Sequence, residues 1–369
     1  MRVLVVFTTA FVPYGGLTTV MMNYWRAMDK SDLQIDFAST NVPPQILIDE
    51  ISAQGSCYHQ LPQRKHILAY LKNLFLLSKK YDVLHVHGNS ATSVLELGTA
   101  KLAGVKQRIV HNHNSVTNYP FLNKILHPLF MRSYTEALAC SNLAGQWLFG
   151  KNNFSVVRNA IDLRKYSYSQ DFRKMKRTEL GILEDDFVVG HVGKFNQQKN
   201  YPFIVDVFAE LHKINPHSKL LFVGGGDLEK SIRNKVDKMG LTEWVVFAGL
   251  RTDTAEIMNA MDVFLFPSLW EGLPLSALEA QASGLPVYLS NVISKEVCIS
   301  NNLMSLDLNE SAVSWAKCIL STCDVSQRID NSLKNQKKLA KYGYDICHEA
   351  NGLRKLYFKR MGKNEKEKT

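Results

Sequence analysis

The sequence predicts an α/β protein built from two doubly wound parallel sheets that face each other across a cleft. Short β-branched runs alternate with longer helical patterns along the whole chain, the mark of parallel sheets covered by helices. That rhythm breaks once, at a polar, Lys-rich stretch over 164–179, and then restarts. The 369 residues suit two domains of about 100 to 200 residues, each large enough to bury its own core. With 46% hydrophobic and 21% charged residues and no low-complexity bias, the composition is globular, not disordered.

In chain order, strands are expected at 3–8, 35–39, 83–87, 108–112, 137–140 and 154–157 in the first half, and at 187–192, 220–223, 245–248, 263–266 and 287–289 in the second. Arg2 and the mostly apolar run 3–12 resemble a short signal peptide. Pro13, Tyr14, Gly15 and Gly16 stand where its small-residue cleavage site belongs, so a buried first strand is expected instead. A helix is expected over 344–361, with Ile346, Ala350, Leu353 and Tyr357 at helical spacing, before a frayed basic tail from Gly362. The expected organisation is a first domain over 1–165, a second over 166–343, and a C-terminal segment over 344–369 whose helix packs back toward the first domain.

Charge and cysteine usage narrow the partners. The formal charge of +10 divides into +8 over 1–165, −2 over 166–345 and +4 over 346–369. A basic first half suits an anionic membrane or anionic substrate. Nucleic acid is not expected, because zinc-finger spacing, a basic zipper and an aromatic RNA-binding signature are all missing. Six cysteines without a Cys-x-x-Cys pair form no disulfide framework in a chain this long, which fits a reducing cytoplasm. No stretch approaches the ~18 uncharged apolar residues of a membrane-spanning helix.

In open α/β sheets ligands bind beyond the carboxyl ends of the strands, so the loops there carry the chemistry. Gly15 and Gly16 follow the first strand and precede a helical pattern. Their backbone allows close approach, and the helix aims amides at a phosphate, although a Gly-Gly pair is also plain turn chemistry. Lys194 and Lys199 lie beyond the 187–192 strand and suit a diphosphate as point charges, or are solvated surface lysines. Glu271 and Glu279 are eight apart around Gly272, Leu273, Pro274 and Leu275. With Pro274 as the first helical residue, Glu271 lies in the loop and Glu279 more than one turn inside the helix, so both carboxylates reach one ligand.

Three tempting motifs fail. Residues 145–151 have P-loop spacing, but Asn152 replaces the magnesium-holding Ser/Thr. The pairs His85/His87 and His111/His113 lie on strand faces with no Cys or acidic cluster in register, so no metal site is expected there. No Asp-x-Asp handle for a metal-dependent sugar transferase occurs.

The run from Glu271 through Glu279 to Ala280, followed by Gly284-Leu285-Pro286-Val287, resembles the E-x7-E element of the family-four retaining glycosyltransferases of the GT-B fold. The ordered set extends the resemblance across nearly the whole chain: Gly15-Gly16, Asn159-Ala160-Ile161-Asp162, Gly193-Lys194 with Lys199-Asn200, Gly224-Gly225-Gly226-Asp227, and Phe266-Pro267-Ser268. It implies two Rossmann-like domains and metal-independent transfer from a nucleotide diphosphate sugar, UDP-linked, with no cofactor. Glu279 would hold the ribose hydroxyls, and Glu271 with the backbone of Gly272, Leu273, Pro274 and Leu275 would contact the sugar. Lys194 and Lys199 would neutralise the diphosphate, with the Gly16 amide facing it. His113 matches the family's sugar-contacting histidine, with His111 and Asn114 as nearby alternatives. Lys194 stands where the family usually has Arg, which loses a bidentate clamp, and Ala160 replaces a hinge glycine.

Within the family the chain is most similar to enzymes of bacterial capsular and extracellular polysaccharide synthesis, around Val86 to Asn89 and Arg108 to Asn114. This implies a lipid-linked saccharide acceptor, polyprenyl diphosphate in type, and a peripheral position at the inner face of the cell membrane. The helical patterns at 64–80 and 121–131 fit such contact, though 64–80 equally fits an ordinary sheet-covering helix. Epimerisation or hydrolysis of sugar nucleotides on the same fold, and a non-catalytic partner subunit, are the competing readings. The residue types do not fix the oligomeric state.

Overall fold

The computed structural model describes residues 1–13, 15–117 and 119–359. Tyr14, the end of the last expected helix and the expected tail from Gly362 lie outside the described residues. The chain divides into two units, one of Met1–Ala160 together with the segment beginning at Ile346, the other of Ile161–Asp345. These junctions fall a few residues from 165/166 and 343/344. The reason is local to the second unit: the Ile161 amide donates to the Tyr344 carbonyl at 3.1 Å, and Ile161 and Asp345 form a parallel bridge.

The first unit contains β1 (Arg2–Phe7), α1 (Gly16–Ala27), β2 (Gln34–Ser39), α2 (Gln45–Ala53), β3 (Tyr58–Gln60), α3 (Ile67–Ser78), β4 (Val83–His87), α4 (Val94–Leu102), β5 (Gln107–Asn112), α5 (Pro120–Phe130), β6 (Glu136–Ala139), α6 (Asn142–Phe149) and β7 (Ser155–Val156). Its sheet runs β3-β2-β1-β4-β5-β6-β7, every pair parallel. The second unit follows with α7 (Gln170–Glu179), β8 (Phe187–Val192), α8 (Tyr201–Ile214), β9 (Ser218–Val223), α9 (Glu229–Lys238), β10 (Val245–Phe247), α10 (Thr254–Ile257), β11 (Val263–Phe266), α11 (Leu275–Ala282), β12 (Val287–Ser290), β13 (Leu303–Leu306), α12 (Ala312–Thr322) and α13 (Arg328–Lys341). Its sheet runs β10-β9-β8-β11-β12-β13, again all parallel. Helix α14 (Ile346–Phe358) belongs to the first unit.

The inner strands read as continuous apolar runs because both faces are covered. In β1 all residues from Val3 to Phe7 are buried, and in β11 all four are. The expected strands are present within two residues at either end; β3 and β13 were not expected. Both lie at sheet edges, and β3 is the polar tripeptide Tyr-His-Gln while β13 is half exposed. Neither offers the buried β-branched run that marks an inner strand.

Both sheets reverse direction once, between β1 and β4 and between β8 and β11. Crevices at such switch points are where doubly wound sheets bind ligands. In the second unit the helix leading away from the switch point, α11, ends in a tightly packed turn. Gly284 has φ +73°, and a Cβ there would lie 2.4 Å from the Arg328 carbonyl oxygen and 2.6 Å from the Ser332 nitrogen. The buried Arg328 guanidinium donates to the carbonyls of Ser283 at 2.8 Å and Met258 at 2.8 Å, so α13 is fixed against the same turn.

Gly284→Ala is therefore expected to destabilise the chain by roughly 1 to 3 kcal/mol through left-handed strain, with the backbone clash added. Gly181, at φ +66° with open space around its Cβ position, is the comparison: its alanine variant should lose less. Chemical denaturation midpoints read both, and equal losses would mean that the packing against α13 adds nothing.

Candidate functional site

At the carboxyl end of β8 the loop 193–200 is held against two neighbours. On one side the 224–226 loop presses on it so closely that a Cβ on Gly224 would lie 1.9 Å from the Gly193 carbonyl oxygen. The Phe195 amide donates to the Gly225 carbonyl at 3.1 Å. On the other side the loop joins the segment after β11. The Leu269 amide donates to the Gln198 carbonyl at 2.8 Å, Gln198 Nε2 to the Trp270 carbonyl at 3.0 Å, and Asn200 Nδ2 to the Pro267 carbonyl at 3.2 Å. Asn200 has φ 55°, a conformation that asparagine tolerates better than most residues.

This joining brings Lys199 to Glu271. Lys199 Nζ lies 2.7 Å from Glu271 Oε1, with side chains 14% and 8% exposed, and 4.4 Å from the centre of the Phe266 ring. Lys199 is thus paired with a carboxylate from the neighbouring strand end. Lys194 is exposed and makes no ion pair among the described residues.

Glu279 is buried on α11, where Tyr166 Oη donates to its Oε1 at 2.8 Å. Burial pushes its carboxyl above the usual carboxylate range, opposed by the Tyr166 hydrogen bond and by the charges of Lys165 and Lys199. Tyr166 was not singled out in the sequence. It lies 113 residues from Glu279, in the polar stretch over 164–179, and no local pattern links the two. Pro274 is the residue before the helix, not its first residue, and no side chain caps that end of α11. The first-turn amides of a helix lack intrahelical acceptors and carry the positive end of its dipole, a fit for phosphate.

In the first unit, Gly15 precedes the start of α1 and no side chain caps that helix either. His113 lies one residue past β5. Its amide donates to Asn89 Oδ1 at 3.2 Å, and its Nε2 is 2.8 Å from His87 Nδ1. His111 lies within β5 and is buried at 1% exposure. Asn114 Oδ1 accepts from the Ser115 amide at 2.9 Å. The P-loop-like spacing at 145–151 has a packing cause: it lies largely in α6, and a Cβ on Gly145 would meet the Phe154 ring at 2.1 Å. Among the described residues, then, Lys199, Glu271, Glu279 and the start of α11 gather in the second unit, while Gly15, Gly16, His113, His111 and Asn114 belong to the first.

Comparison with known proteins adds four findings. The family model described as "Glycosyl transferases group 1" matches residues 186–323. The putative glycosyltransferase EpsF of Bacillus subtilis is 31% identical over 360 residues, covering 93% of each chain. The Escherichia coli UDP-Gal:alpha-D-GlcNAc-diphosphoundecaprenol alpha-1,3-galactosyltransferase is 28% identical over 302 residues, 76% of each chain. Among solved structures, Anabaena Alr3699/HepE in complex with UDP superposes with a TM-score of 0.78 over 96% of this chain and 99% of that one, at 18% identity.

The raised Glu279 carboxyl has a consequence for stability. The folded protein holds its proton to higher pH than the unfolded chain does, so the ionised form costs stability above the folded pKa and nothing below the unfolded one. Glu279→Gln should therefore be more stable than the wild type at pH 7.5, with the gain shrinking toward pH 4. Denaturation curves at the two pH values test this, and a glutamine variant less stable at pH 7.5 would contradict it.

Proposed function

This chain belongs to the group 1 glycosyltransferases and has their GT-B fold of two Rossmann-like domains, and on that premise we propose that it moves a sugar, with retention of configuration, from a UDP-linked donor to a lipid-linked saccharide acceptor in polysaccharide repeat-unit synthesis. The observation that carries the donor half is the buried Lys199–Glu271 pair beside Glu279 and the uncapped start of α11. Glu279 accepts hydrogen bonds from the ribose hydroxyls. The diphosphate draws Lys199 away from Glu271, which leaves Glu271 to accept from the sugar hydroxyls. Lys199, the exposed Lys194 and the amides at the start of α11 stabilise the charge that develops on the leaving diphosphate, so no divalent ion is needed there. In the first unit, the amides of Gly15 and Gly16 at the start of α1, and His113, whose ring is held by His87, are the groups that the family resemblance assigns to the donor. The likeness to the galactosyltransferase acting on a diphosphoundecaprenol acceptor supports a lipid-linked acceptor.

The surface of the first unit supports an anionic membrane as the place of transfer. Helix α5 buries only Phe130 fully and leaves Phe121, Leu122, Ile125 and Leu129 exposed, Phe121 to 74%. Leu68 and Leu76 of α3 are exposed as well, and α4 contacts both helices. Lys65, Lys72, Lys79, Lys80, Lys124 and Arg132 are exposed around them. Apolar side chains flanked by exposed basic residues are how interfacial helices bind anionic bilayers. No helix of the described residues is long and apolar enough to cross a membrane.

Removing one charged acceptor costs about 1.5 to 3 kcal/mol, roughly a 10- to 150-fold change. Glu279→Ala should weaken UDP-sugar binding by that factor and Glu271→Ala should lower turnover similarly. Titration calorimetry in EDTA and initial rates measure the two effects. Unchanged values in both variants would remove the donor assignment, and loss of wild-type affinity in EDTA would put a metal at the diphosphate.

Replacing Lys65, Lys72, Lys79 and Lys80 by Ser should cut sedimentation with anionic vesicles and leave donor affinity unchanged, since each basic residue near such a surface contributes ~1 kcal/mol. Equal sedimentation of both proteins at low salt would make these lysines a solvated face.

A further inference from the structure

Three buried histidines of the first unit form a cluster of which the proposed transfer uses only His87, as the support of the His113 ring. Parallel pairing of β4 and β5 sets His87 opposite His111, and His85 is two residues before His87 on the same strand face. The ring centres are 4.4 Å apart for His85 and His87, 5.1 Å for His87 and His111, and 5.6 Å for His85 and His111. All three residues are at most 1% exposed, and ligand nitrogens from the three rings lie within 4.8 Å of one another.

Their hydrogen bonds are incomplete in a patterned way. His85 Nδ1 lies 2.8 Å from the Tyr357 hydroxyl of α14, and His87 Nδ1 lies 2.8 Å from His113 Nε2. His85 Nε2, His87 Nε2 and both ring nitrogens of His111 have no partner at hydrogen-bond length. The Val157 backbone is close enough to His111 to favour its protonated form, yet burial outweighs this and pushes its pKa down to about 3. Burial also holds His85 and His87 well below the usual histidine value. Buried nitrogens left open on three rings at one spot are a large cost for a fold that satisfies most of its buried polar groups.

We propose that His85, His87 and His111 bind one divalent transition-metal ion of the zinc type. A neutral imidazole with one nitrogen facing a hydroxyl, another imidazole or a carbonyl, and the other open, is the ordinary state of a metal-ligating histidine. Three nitrogen ligands suit zinc, cobalt or nickel and not the oxygen-seeking magnesium or calcium. Bonds of about 2.0 to 2.1 Å require the nitrogens to close from their present spacing, which ring rotation supplies, and a water completes four-coordination. Ligation through His87 Nε2 leaves the His87 proton on Nδ1, from which it donates to His113 Nε2. The ion sits inside the first unit, beside the Tyr357 hydroxyl of α14. Pairs two apart on two strands gave no reason to expect a metal, because the register that brings them together is not written in either segment.

The test uses the full chain without a polyhistidine tag, stripped with a strong chelator under mild denaturant, refolded, and titrated with Co2+. One equivalent should bind and give intense visible ligand-field absorption of a four-coordinate site. Zn2+ should displace the colour and raise the melting temperature. His85→Gln and His111→Gln should each reduce the bound metal from one equivalent toward none while keeping the far-ultraviolet spectrum of the wild type. Should these core variants fail to fold, X-ray absorption on the wild-type cobalt form decides, with three imidazole nitrogens expected around the ion. No stoichiometric binding by the wild type, equal binding by folded variants, or a cobalt shell without imidazoles would each overturn the proposal.

Discussion

The second unit depends on one ion pair. Lys199 and Glu271 come from loops that leave the two strands flanking the switch point, and their 2.7 Å contact closes the seam between those loops. The pair is largely withdrawn from water, so removing either partner would strand a charge at a cost of about 3 to 5 kcal/mol. Backbone and amide bonds from Leu269, Gln198 and Asn200 run along the same seam. The loops are therefore positioned before any ligand arrives, and a ligand that takes the lysine must offer it an anion at least as good as a carboxylate. A diphosphate does.

The two glutamates of the E-x7-E element differ by environment. Glu271 is paired with a lysine at contact distance, while Glu279 sits inside α11 with a tyrosine as its hydrogen-bond donor and carries a raised pKa. Such contrasts mark functional carboxylates more than structural ones, because a burial cost with weak compensation persists only where something else selects for it. The Tyr166 hydroxyl limits the cost and aims the carboxylate.

Most of the fold was legible in the sequence because inner parallel strands are short apolar runs at regular spacing, as in 83–87, 187–192 and 263–266, where the expected and observed bounds coincide. The edges were not: Tyr58–Gln60 and Leu303–Leu306 pair on one side only and lack the buried pattern. In the site, Lys199 and Glu271 were visible in strand-end loops and Glu279 in the helix that follows, but the Lys199–Glu271 pairing and the role of Tyr166 arise from contacts between segments 72 and 113 residues apart. The histidines show the same limit. Each pair was evident, yet sheet register is a long-range property, and it alone turned two unremarkable pairs into a cluster.

The exposed stripe of α5 and the basic residues near it give the first unit a surface unlike the second, whose residues 166–345 carry a net −2. The central claim, that Lys199 exchanges Glu271 for the donor diphosphate, is tested most directly by a crystal structure of the chain with bound UDP. The account predicts Lys199 Nζ on a phosphate oxygen, the pair with Glu271 opened, and the ribose hydroxyls on Glu279. UDP bound with Lys199 still on Glu271 Oε1, or with its ribose away from Glu279, would contradict it.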